Sequence, residues 1–110
     1  MAWLIREGEV LATLELAASR RERVLGLVGR DHYEGALLLR PARSVHTVGM
    51  RFPIDVAFCD ADLVVTEALC LRPYRLSRPR RGVSCVIEAR AGAFERWRLR
   101  PGDRLEIAGE

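Results

Sequence analysis

Lysine, asparagine and glutamine are missing from all 110 residues, so every one of the 18 basic side chains is Arg. Without Lys there is no Schiff-base amine and no phosphate-loop lysine. Without side-chain amides, neither an amide oxyanion hole nor bidentate adenine reading can be built. Histidine occurs only twice and cysteine three times, and Cys59, Cys70 and Cys85 show no CxxC or CxxH spacing. That count and spacing argue against a disulfide framework or a structural zinc site, and reduced thiols are expected. No apolar run approaches the roughly 20 residues of a spanning helix. Charge at Arg6 and Glu7 interrupts the opening residues too early for a secretory signal, so a cytoplasmic location is expected, with no membrane association. The missing Lys, Asn and Gln, beside abundant Arg, Ala, Gly and Pro, read as GC-rich codon usage, not as a signal for nucleic acid.

What is present suits one domain over residues 1–110. A chain this long buries roughly two-thirds of its unfolded surface, and 49% hydrophobic residues are enough for one core. The net charge of +3 sits in the middle third, mostly in the stretch from Arg72 to Arg81, which holds five Arg, two Pro and no acid. Its prolines predict an extended surface loop. Leu-Arg-Pro recurs at Leu39, Leu71 and Leu99, but the flanking residues differ and no repeat is inferred.

Trp3-Leu4-Ile5, the Glu7-Gly8-Glu9 turn and the alternation of Val10, Ala12, Leu14 and Leu16 predict a hairpin. Ser19 with Glu22 forms a capping-box pattern that opens a helix over about 19–29, with an apolar stripe from Val24 to Val28 ended by Gly29. Strands are expected over 36–39, 44–48, 54–60, 63–69, 83–89 and 104–107, with a turn at Asp60-Ala61-Asp62 and a short helix over about 92–98. Ile54, Val56 and Phe58 share one strand face, and Asp55, Ala57 and Cys59 the other, so covering both faces buries an Asp. The expected class is β-rich α+β: a small twisted antiparallel sheet or partly closed barrel with one clear helix and one short C-terminal helix. Trp3, Phe94 and Trp97 are read as core.

The stretch Val45-His46-Thr47-Val48-Gly49-Met50-Arg51-Phe52-Pro53-Ile54-Asp55, with Arg23-Val24-Leu25-Gly26-Leu27, the Cys85 to Gly92 segment and the Gly102-Asp103 turn, resembles a bacterial and archaeal family, domain of unknown function 192. The resemblance spans most of the chain. It implies a compact, largely β domain with no established activity.

The candidate site follows from the central motif and the arginine loop. His46, Thr47 and Asp55 form the expected polar corner of a cleft lined by Met50 and Phe52. His46 and Asp55 could act as base and orienter, with Cys59 on the Asp55 face as a nucleophile, in a small hydrolase-like enzyme. The plainer reading has Asp55 accepting backbone hydrogen bonds and Cys59 as an inert core thiol. His46 with Met50, or His32 with Asp31 and Glu34, is too small a ligand set for a metal, so no metal or cofactor is expected. The ligand-binding residues offered are His46, Thr47, Met50, Arg51 and Asp55 with Arg72, Arg75, Arg80 and Arg81. The expected function is a non-enzymatic binding or accessory domain for a small anionic ligand or an acidic protein segment, acting as a monomer or weak homodimer. Nucleic-acid binding through Arg72–Arg81 is a weaker alternative, because no recognition helix accompanies the loop.

Overall fold

The computed structural model describes residues 1–109. Glu7 and Gly8 both take positive φ, 50° and 81°, so β1 (Ala2–Arg6) reverses within two residues into β2 (Glu9–Ala17). The register slips between Leu4 and Ile5, which leaves Leu11 as an extra residue on β2. The expected single-face alternation is not kept along β2: Leu14 is buried in one core and Ala17 in the other, whereas Val10 and Leu16 are exposed. Trp3 also faces outward, because Ala2 and Leu4 take the core side of β1.

Ser19 caps α1 (Arg20–Leu25) as its sequence pattern requires: its hydroxyl accepts from the Glu22 amide at 3.0 Å, and Glu22 accepts from the Ser19 amide at 2.9 Å. The helix stops at Gly26, three residues before the expected Gly29, and buries none of its own residues. The crossover from β2 through α1 returns the chain beside β2 as β3 (Ala36–Leu39), and this pair runs parallel. All other pairings are antiparallel, so the sheet is mixed.

β4 (Ile54–Cys59) and β6 (Cys85–Arg90) are interior strands of the order β5-β4-β6-β3-β2-β1-β7, in which β3 is central and β5 (Val65–Leu71) and β7 (Glu106–Gly109) form the edges. Asp60 Oδ1 accepts from the amides of Asp62 and Val64 and closes the expected turn between β4 and β5. All six β4 residues are buried. Its alternation sorts them as expected, with Ile54, Val56 and Phe58 against Leu27, Leu37 and Met50, and Ala57 and Cys59 against Leu38, Ile87 and Phe94 on the other face. The second face is covered by α2 (Ala93–Trp97), where Phe94 and Trp97 stack 5.5 Å apart. The residues just before the two edge strands meet through an isolated Val64–Arg104 bridge, but the strands themselves do not pair and the sheet is not closed into a barrel. Residues 44–48 make only a single bridge, His46 to Leu76, where a strand was expected.

Candidate functional site

The central motif and the arginine loop lie side by side. Thr47, fully buried, is the fastener: its hydroxyl donates to the Arg72 carbonyl at 2.7 Å and accepts from the Arg75 amide at 2.8 Å, while its own amide donates to the Arg75 carbonyl. Ser77 adds a second clasp, its hydroxyl accepting from the Val45 amide at 2.8 Å. The β-branched hydroxyl at 47 thus satisfies backbone groups that a loop without a strand partner would leave unpaired.

Asp55 does not join this corner. Its Oδ2 accepts from the amides of Gly92 and Phe94, both at 3.0 Å, on the α2 face of the sheet. Strand alternation sends it away from Ile54 and Val56, and the first amides of α2 supply the partners its burial demands. His46 lies on the other side, with Nε2 2.7 Å from the Val24 carbonyl. The base-and-orienter pair is therefore not formed. Cys59 faces Cys85 across β4 and β6, and both are fully buried. A hydrogen bond with the Cys85 thiol, added to burial, pushes the Cys59 thiol up and keeps it neutral.

Other candidates are spent on structure. Met50 packs in the core, and Arg51 pairs with Asp31. Arg80 grips Glu67 through Nε at 2.6 Å and Nη2 at 3.2 Å and lies 4.1 Å from the Phe58 ring centroid. Arg72, Arg75, Arg78 and Arg81 are exposed and form no ion pair among the described residues. His32 is shared between Glu34 and Arg90, and no cluster of three metal-ligating side chains occurs among the described residues.

The residue that sequence reasoning missed is Glu88. It is 2% exposed, flanked in the sheet by Leu37 and Val56, and its Oε1 accepts from the Leu27 amide at 3.2 Å. Oε2 has no hydrogen-bond partner among the described residues. Burial lifts this carboxyl to about 7, against the Leu27 hydrogen bond and the Arg30 charge. The available signal was an acid inside the apolar run Cys85-Val86-Ile87-Glu88-Ala89, together with Gly26. At Gly26, φ is +53° and a Cβ would come 2.6 Å from Glu88 Oε1. The Arg-x-x-Gly-Leu pattern and the strand glutamate are thus two sides of one contact.

Glu88 and His46 line a cleft of about 380 Å³ together with Arg20, Arg23, Arg43, Val24, Leu76 and Ser77. A carbonyl oxygen only accepts, so His46 Nε2 carries a proton toward Val24, and in the neutral ring Nδ1 is a lone-pair acceptor. That Nδ1 is buried without a partner. Arg20, Arg23 and Arg43 have no acidic partner among the described residues, whereas Arg6, Arg30, Arg51 and Arg80 each have one. A larger groove of about 700 Å³ runs past Tyr33, Arg90, Arg96 and Trp97, but no buried charged side chain lines it.

The chain is 30% identical over 103 residues to a UPF0127 protein of Pyrococcus furiosus, covering 89% of each. It is 28% identical to a UPF0127 protein of Pyrococcus abyssi, covering 91% of this chain and 86% of that one. The fold matches a crystal structure of a candidate transcription regulator from Sinorhizobium meliloti with a TM-score of 0.82 and 26% identity, over 99% of this chain and 93% of that one. It also matches a protein of unknown function from Novosphingobium aromaticivorans with a TM-score of 0.80 and 23% identity, over 96% and 82% of the two chains. The family model for domain of unknown function 192, described as Uncharacterized ACR, matches residues 3–107, and the chain belongs to that family.

Proposed function

We propose that this domain is a binding or accessory module whose cleft between α1 and the 41–46 and 76–77 segments takes a small anionic ligand. The observation that carries this reading is that Arg20, Arg23 and Arg43 line one cleft and none of them forms an ion pair among the described residues. Guanidinium forks match carboxylate and phosphate oxygens. Near or below pH 7 the Glu88 carboxyl is substantially neutral and repels an anion little. Three free thiols at Cys59, Cys70 and Cys85 fit a reducing, cytoplasmic setting.

The test is a thermal-shift screen of phosphate, nucleotides, carboxylates, sugars, metals and acidic peptides on wild type, His46→Ala and Arg43→Ala. An anion at ten times its Kd raises Tm by about 5 °C in wild type and by much less in Arg43→Ala. A screen in which no anion moves Tm, or in which wild type shifts no more than His46→Ala and Arg43→Ala, rejects the cleft.

A second reading rests on the rim, where Leu76 is 77% exposed and Val24 57% exposed beside the arginines. An acidic segment of another protein with an apolar anchor suits that mixture, and it would show in the same screen as a response to acidic peptides alone. The description of the Sinorhizobium meliloti protein, carried to this chain, would make Arg72, Arg78 and Arg81 phosphate contacts. Helices of six and five residues offer no groove reader, and gel retardation lost steeply with salt is what that reading requires.

A further inference from the structure

Two of the groups lining the cleft lack a complement. Glu88 Oε2 has no hydrogen-bond partner among the described residues, and His46 Nδ1 is a buried ring nitrogen without one. A buried polar atom left open costs free energy in the empty protein, which a ligand hydroxyl, able both to donate and to accept, recovers. The rim offers the opposite chemistry, since Arg20, Arg23 and Arg43 present only donors and positive charge. Three guanidinium groups suit a dianion better than a single carboxylate, and the volume is at the small end of ligand pockets.

We propose that the cleft takes a hydroxylated phosphate monoester of the polyol or sugar phosphate class, with phosphate among Arg20, Arg23 and Arg43 and ligand hydroxyls hydrogen-bonded to Glu88 and His46. Glu88 is then the specificity-determining residue. This deepens the anion reading and rests on it. The polarity is fixed by the fold: a phosphate placed against Glu88 would meet a carboxyl that ionises near neutral pH, so the anion stays at the rim and the hydroxyls go inward. A neutral or cationic polyol lacks the group the arginines select. A bare alkyl phosphate lacks the group Glu88 selects.

The experiment is calorimetric titration of the full chain with glycerol 3-phosphate, propyl phosphate and inorganic phosphate, repeated on Glu88→Met and Arg43→Ala. Glycerol 3-phosphate is expected to bind wild type at least about tenfold more tightly than propyl phosphate, because one open polar group gains its hydrogen-bond partner. In Glu88→Met that preference collapses, whereas Arg43→Ala weakens both esters alike and leaves the preference intact. Equal binding of the two esters to wild type, with both weakened by Arg43→Ala, overturns the hydroxyl inference and leaves the anion reading standing. The same holds if inorganic phosphate alone binds. No binding of any of the three at millimolar concentration overturns both. Circular dichroism checks that Glu88→Met is folded; if it is not, the ratio of the two esters on wild type decides.

Discussion

Glu88 and Asp55 are both buried acids, and their surroundings set them apart. Asp55 accepts two backbone amides on one oxygen, so its charge is compensated where it lies. Glu88 has one amide on one oxygen and apolar neighbours in the sheet, and it holds its proton up to about 7, against an ordinary 4.5. Between those two values the native state keeps a proton that the unfolded chain has lost. Stability therefore falls as pH rises through this window, by an amount of order 3 kcal/mol. Glu88→Gln removes the ionisation and should flatten that part of the curve, as read by urea unfolding at steps from pH 5 to pH 8. A variant that keeps the wild-type slope would show that the slope arises elsewhere. Asp55 illustrates what the residue scale can and cannot tell. Period-2 alternation in Ile54 to Cys59 showed that an Asp must be buried, but its partners lie 37 and 39 residues away in α2, and no local pattern pointed to them. Glu88 stayed hidden for the reverse reason: an acid in an apolar strand reads as a face toward water until the strand is known to be central.

At the scale of elements, local chemistry was a good guide where the deciding groups were close in sequence. The Ser19–Glu22 box, the Glu7-Gly8 reversal and the Asp60 turn all formed where their residues placed them. It failed where distant groups decide. The helix ends at Gly26, which turns to φ +53° beside Glu88 where a side chain would have no room, and the 44–48 segment is held by Thr47 without becoming a strand. That fastening makes the arginine loop an ordered element despite its two prolines. Thr47→Val keeps the shape but leaves the Arg72 carbonyl and Arg75 amide without their side-chain partner. It should cost about 1–3 kcal/mol. Tryptic cleavage after Arg75 and Arg81 under native conditions should also accelerate, as followed by mass spectrometry. Unchanged cleavage would mean that the backbone bonds to Val45 and Thr47 hold the loop without the hydroxyl.

Across the whole molecule, Arg6 joins the two ends of the chain. Its guanidinium donates to the Trp97 carbonyl at 2.7 Å and to the Arg98 carbonyl and Asp103 Oδ2, both at 3.0 Å, so the first strand is bound to the turn that launches the last. Asp103 also accepts from the Arg100 amide, which gives the terminal Gly102-Asp103 pattern a structural purpose. Arg6→Met retains the aliphatic stem and loses the fork. Its expected cost is about 2 kcal/mol in urea unfolding, well above that of exposed Arg21→Met, the matched control. A cost no larger than the control's would mean that solvent replaces the whole network. The β-rich α+β class was legible because it depends on turn residues and alternation along the chain. The strand order was not, because it depends on which distant strands meet.

That order also has a bearing on how the chain acquires its structure during synthesis. β6 lies between β3 and β4, which do not pair with each other, so the two central strands of the first 60 residues have no common ladder until Cys85–Arg90 arrives. A nascent chain that has emerged only as far as the arginine loop can close the β1–β2 and β4–β5 hairpins, yet it has no continuous sheet on which to build either core. Consolidation awaits the last third of the chain, and folding led by such long-range pairings belongs to the slow, millisecond-to-second class.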